Sequence, residues 1–185
     1  MAEHRSMQRA ALLDAARSLL SEGGTEALTF PALAERTGLA RSSVYEYFRS
    51  RAAVVEALCE ADFPVWAAEV EAAMAAAEGP EAKAEAYVRR QLALVGDRRH
   101  RAVVAISASE LDAGAREKIR AAHGALVAMI VDVLGEMGHA EPRLAAMMLQ
   151  GVVDAAVRRI ELGVEEPGAV ADAAVRMALR GVLGG

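Results

Sequence analysis

Apolar residues recur along this chain three and four apart, in blocks closed by glycine or proline, and each block predicts an amphipathic helix. Leu12, Leu13, Ala16, Leu19 and Leu20 mark one face of a first helix over residues 6–21, which Gly23 and Gly24 end. Residues 25–28 link it to a short second helix. Thr29 suits that helix as N-cap, ahead of Phe30, Pro31 and Ala32, and Leu33 and Ala34 are its apolar face. Gly38 can adopt the positive φ that a helix stop and sharp turn require. A third helix is predicted from about Arg41 to Arg49, with Val44 and Phe48 four apart and facing inward. Leu13, Leu20, Leu28, Leu33, Val44 and Phe48 then form one small core.

Ser50 caps a fourth helix, with Val54, Val55, Leu58 and Cys59 on its inner side. Pro64 interrupts it and predicts a kink, after which Trp66, Val70 and Met74 resume the pattern as far as Glu78-Gly79-Pro80. Further helices are predicted over 81–96, 99–111, 115–137, 143–162 and 168–183. The chain reads as all-α, with about nine helices and no internal repeat.

Composition supports this reading: 54% of the 185 residues are hydrophobic but only 4% aromatic, so the core is built from Ala, Leu, Val and Met. Cys59 is the single cysteine, which excludes an internal disulfide and fits a reducing cytoplasm. No opening signal peptide is expected, and no apolar stretch approaches a membrane span. The net charge of −5 is unevenly spread. Residues 1–51 hold seven Arg against six carboxylates, whereas residues 52–185 hold 14 Lys and Arg against 20 carboxylates. A weakly basic head on an acidic body can orient on a polyanion.

Two short helices around a glycine-containing turn, the second of them polar, describe a helix-turn-helix. Its second helix can enter the major groove of DNA and read base edges from its N-terminal residues, here Arg41, Ser42, Ser43 and Glu46. Arg41 could pair bidentately with guanine, and Glu46 could accept from cytosine. Glu46 reads equally as a solvated carboxylate that repels phosphate. Arg5, Arg9 and Arg17 on the first helix are open to solvent or phosphate.

The run Thr29 … Leu33-Ala34 … Thr37-Gly38-Leu39 … Ser43-Val44-Tyr45 … Tyr47-Phe48 … Ser50-Arg51 closely resembles the DNA-binding domain of TetR-type transcriptional regulators. The resemblance covers about residues 8–58, and beyond them it is one of layout. It implies a helix-turn-helix DNA-binding domain over 1–51 and a helical effector-binding and dimerisation domain over 52–185. It also implies phosphate contacts from Tyr45 and Arg51, with Tyr47 and Thr29 beside them. Two departures stand out. Ala40 occupies a position where a capping serine is common, and Arg51 replaces the usual lysine.

One such head binds weakly, so a homodimer on a palindromic operator is expected on energetic grounds as well as by resemblance. The expected seam is the last two long helices, through Met148, Gly151, Val152, Ala155, Arg159, Ala174, Met177 and Ala178. Their small residues, together with Ala145, Ala146, Ala156 and Ala173, permit the close helix approach such a seam needs; the alternative is packing inside one protomer.

An unidentified apolar or amphipathic effector is expected among Phe63, Trp66, Met74, Tyr87, Val104, His123 and Met129, although each also reads as ordinary core. No cofactor, metal site, membrane contact or catalytic residue is expected. The four histidines are scattered, and no nucleophile or phosphate-loop pattern occurs. The chain thus reads as a repressor released by a small molecule. Its alternatives are a DNA binder of the same fold governed by a protein partner, and a helical carrier or enzyme.

Overall fold

Alanine and leucine favour the helix, and stops fall where glycine or proline makes its continuation costly. The fold is described from a computed structural model that covers the backbone of residues 2–183 and the side chains of 3–115, 117 and 124–181. Among these residues there are nine α-helices and no strand: α1 (Ala2–Gly23), α2 (Phe30–Thr37), α3 (Arg41–Tyr47), α4 (Arg51–Ala75), α5 (Pro80–Gly96), α6 (Arg98–Glu110), α7 (Ala113–Glu136), α8 (Pro142–Leu162) and α9 (Pro167–Leu183). No described helix is long and apolar enough to cross a membrane.

Three local details differ from the expectations. Helix α1 starts four residues earlier than the apolar pattern shows, because its first turns are polar and exposed. Residues 25–27 form a 3-10 turn rather than a plain link, set off by Gly24 at φ 69°. Helix α3 stops at Tyr47, since Phe48 turns extended (φ −136°, ψ 123°) to reach the core. At Pro64, by contrast, α4 continues as a single helix, although proline supplies no N–H to that turn.

The chain divides into two compact units. One joins the residues up to Phe63 with Arg98–Ile119, and the other joins Pro64–Asp97 with the chain from Arg120 onward. This first unit does not stop at residue 51, the boundary expected from the sequence: it runs on to Phe63 and takes in α6. Helix α6 lies on α1, where Arg98 donates at 2.7 Å to the Ser21 carbonyl in the last turn of α1.

In this first unit Leu12, Leu20, Leu28, Leu33, Val44, Val54, Val55 and Leu58 are buried, so the core predicted from the apolar spacing is the observed one. Arg17 differs from its expected role. Its Nε donates to both carboxylate oxygens of Asp62, at 3.0 and 3.1 Å, and its Nη1 reaches Asp14 at 2.6 Å. The bond to Asp62 holds the guanidinium pKa above its ordinary value. Arg17 therefore ties α1 to α4 inside the unit and is not open to phosphate. Cys59 is buried nearby, and burial pushes its thiol up to about 12.

In the second unit α5, α8 and α9 pack on one another around Val70, Tyr87, Ile130, Leu134, Leu149 and Val153. Tyr87 is fully buried and donates from its hydroxyl to Gln150 Oε1 at 2.9 Å. Burial pushes its pKa up to about 12.

Two outcomes follow. Asp62→Ala should destabilise the first unit by about 2 kcal/mol in urea unfolding. That is below the roughly 3–5 kcal/mol of a wholly orphaned buried charge, because Asp14 still pairs with Arg17. Tyr87 binds its proton more tightly folded than unfolded, so the stability it lends is intact below its unfolded pKa of 10.0 and is lost as pH rises toward about 12. Ultraviolet titration should show one tyrosine ionising late, near pH 12, and Tyr87→Phe should remove that step alone.

Candidate nucleic-acid interface

A short polar helix can be presented to DNA only if something fixes its opposite side. Helix α2 is started by Thr29, whose Oγ1 accepts from the Ala32 amide at 3.3 Å, leaving its own O–H free to donate. It is ended by Gly38 at φ 68°, whose backbone geometry turns the chain into α3. Ala40 starts α3 with no side-chain bond, as the missing serine implies. Val44 and Phe48 of this segment are buried, so Arg41, Ser42, Tyr45 and Glu46 face solvent, with Ser43 and Tyr47 half-buried. The structure therefore brings the sequence-assigned base readers and Tyr45 onto one outward helix.

The phosphate set is rearranged. Tyr45 remains 56% exposed, its ring edge-on to Phe30 with centroids 4.5 Å apart, which steadies a hydroxyl that points to no protein acceptor among the described contacts. The Tyr47 hydroxyl, by contrast, donates to Gln8 Oε1 on α1, so its proton is already engaged within the protein. Arg51 is also turned inward. Its Nη2 donates to the Thr25 carbonyl, its Nη1 lies 3.5 Å from Glu110 Oε1 on α6, and its Nε is buried. Arg51 thus braces the 3-10 turn against α6 in the free protein. Sequence reasoning had no route to this contact, since the partner lies 59 positions away.

Arg49, two residues beyond α3, is exposed; from the sequence it marks only a helix end, with no role assigned. Among the described residues no three or more His, Cys, Asp or Glu side chains are placed to hold a metal.

The expected effector residues are distributed between the units. Phe63 and Val104 belong to the first, whereas Trp66, Met74, Tyr87 and Met129 belong to the second. His123 lies outside the described residues. Met74 and Met129 share a cavity of about 190 Å³ with Glu71, Ala75, Lys83 and Val133. Tyr87 does not line that cavity and is a core residue bonded to Gln150.

The expected seam also divides. Met148 and Met177 are each 66% exposed, and Gly151, Ala155 and Arg159 are exposed with Val152 half-buried. Arg159 pairs with Glu165. Ala174 and Ala178, however, are buried in the core of their own unit, as are Ala145, Ala146 and Ala156. Small side chains let α8 and α9 approach each other closely, and that internal packing accounts for these alanines. Beside Met148, Val152 and Met177 runs a groove of about 280 Å³ that also touches His139, Glu141 and Leu144.

Residues 12–58 match the family of bacterial regulatory proteins called the tetR family. Among solved structures, a TetR-family transcriptional regulator from Streptomyces coelicolor superposes with a TM-score of 0.79 at 19% identity, covering 96% of this chain and 95% of that one. The transcriptional regulator FadR from Bacillus subtilis, solved in complex with stearoyl-CoA, gives 0.76 at 18% identity over 93% and 98% of the two chains. A protein of unknown function from Rhodococcus sp. RHA1 gives 0.74 at 25% identity over 94% of each. No curated protein matches the sequence. An outward polar helix on a helix-turn-helix scaffold marks a DNA-binding transcription regulator. Residues 12–58 match the tetR-family DNA-binding domain, and the fold of the whole chain is that of solved TetR-family transcriptional regulators.

Arg51→Ala should lower the stability of the first unit by about 1–2 kcal/mol, because the Thr25 carbonyl and Glu110 lose their donor. A residue that served phosphate alone would leave urea unfolding unchanged.

Proposed function

We propose that the protein is a dimeric cytoplasmic repressor, released from a palindromic operator when its helical body binds an apolar or amphipathic small molecule. The observation that carries the dimer is the uncovered apolar strip of Leu144, Met147 and Met148 on α8 with Met177 on α9. Such a strip on a protein surface calls for a partner. Gly151 on the same helix is exposed beside this strip and leaves room for a second helix to approach closely. Two heads held together supply the affinity that one short recognition helix lacks. In this reading Arg41, Ser42, Ser43 and Glu46 meet base edges, while Thr29 and Tyr45 donate to phosphates.

The cavity beside Met74 and Met129 supports the effector's class. At about 190 Å³ it is small against the roughly 300–1,000 Å³ of sites for drug-sized ligands, so it suits a slender apolar group. Lys83 in its lining already pairs with Glu136 at 3.6 Å, so an acidic ligand end would have to compete with that carboxylate. Bacillus subtilis FadR, of the same fold, was solved with stearoyl-CoA, which supports a long acyl chain as the apolar part. Helix α4 contributes residues to both compact units, with Pro64 where they divide. A ligand releases DNA by binding the DNA-incompatible arrangement more tightly than the competent one, and only by that difference.

Sedimentation of the Met148→Glu/Met177→Glu double variant should show a monomer where the unaltered protein is a dimer. Binding to the duplex upstream of its own gene should fall about 100-fold or more with it. Adding stearoyl-CoA should change the fluorescence of Trp66, the only tryptophan, and weaken DNA binding. A dimer that persists in the double variant removes the proposed seam, and indifference to acyl compounds removes the proposed effector class.

A further inference from the structure

Five arginines of the first compact unit lie on or beside α1, α2 and the start of α4, and they differ in their partners. Arg17, Arg36 and Arg51 each face a carboxylate, on Asp62, Glu22 and Glu110 respectively. Arg5 and Arg9 do not. Among the described contacts the polar acceptor of Arg5 is the Glu46 carbonyl at 3.5 Å, and Arg9 meets only an aromatic ring. Both residues are exposed and lie four apart, on one face of the first turns of α1. The side chains of Glu3 and Glu46 are exposed in the same region and form no ion pair with either of them.

These turns are not a loose arm. The Arg5 guanidinium carbon sits 5.8 Å from the centroid of the Tyr47 ring, and that of Arg9 sits 5.6 Å from the centroid of Phe48. Between them Gln8 accepts the Tyr47 hydroxyl. Three successive attachments thus join the start of α1 to the C-terminal end of the recognition helix. A guanidinium lying on a ring keeps its in-plane N–H groups for other acceptors, and phosphate is the acceptor that an outward α3 brings closest. The matched family region starts at residue 12, so both arginines lie outside it.

We infer that Arg5 and Arg9 are additional DNA-binding residues, which hold backbone phosphates beside the groove that α3 enters. This rests on the chain binding duplex DNA, and it adds a contact set that the helix-turn-helix does not contain. Each phosphate neutralised steepens the salt dependence by about 0.9 in log K against log salt. The same relation gives a loss of about fivefold per arginine at 0.15 M salt, vanishing toward 1 M.

The test measures anisotropy of a labelled 30-base-pair random-sequence duplex between 50 and 300 mM KCl. Arg5→Gln/Arg9→Gln should flatten the slope by about 2, and Arg5→Lys/Arg9→Lys should restore most of it. If the two residues only brace α3, the glutamine variant will weaken binding without changing the slope, and lysine will not restore it; that result overturns the inference. Unaltered protein that binds with the same slope as the glutamine variant overturns it too, leaving DNA binding itself intact. Unaltered protein that fails to bind the duplex removes both together.

Discussion

Val44 and Phe48 hold the recognition helix by one side, and the rest of the DNA-binding unit depends on that hold. Helix α3 is seven residues long, begins at an alanine that caps nothing, and is too short to persist in water alone. Burying Val44 of the helix and Phe48 just beyond it stabilises the segment by roughly 1.5–3 kcal/mol for each large side chain. The same burial leaves Arg41, Ser42, Tyr45 and Glu46 no place but the solvent side. In the proposed reading, packing and presentation of the polar face are therefore set by one contact, and a polar residue at Val44 would damage both.

Charge is distributed within the same unit with equal consequence. A formal excess of one positive charge over residues 1–51 understates what DNA would meet, because several arginines are matched internally. Arg17 serves the joint between α1 and α4, Arg36 reaches back to Glu22, and Arg51 braces the turn after α1. What remains outward is a small set around the ends of α3. In the proposed DNA-binding reading, attraction to a polyanion would depend on where cations stand free more than on how many there are.

Much of this was legible in the residues. Helix periodicity located all nine helices, and Thr29, Gly38 and Ser50 do at the caps what their chemistry requires. The parts that could not be read depend on partners far along the chain. Nothing near Arg51 announces Glu110, and nothing near Arg17 selects Asp62. Alanine was ambiguous for a related reason: Ala174 and Ala178 allow close approach, but spacing cannot say to which helix. The exposed methionines, Met148 and Met177, separate the outer face from the inner one, and only burial shows them. The expected effector residues suffered likewise, since large apolar side chains such as Tyr87 serve a core as readily as a cavity.

Cys59 has a quieter consequence. Its thiol is shut away in the DNA-binding unit and stays protonated until about pH 12, so reagents that attack thiolates find no target while that unit is closed. Alkylation of Cys59 therefore requires the packing around it to open first, and its rate follows the population of that open state. A buried thiol in that position thus reports, through its accessibility to reagents, on the closed state of the unit that holds it.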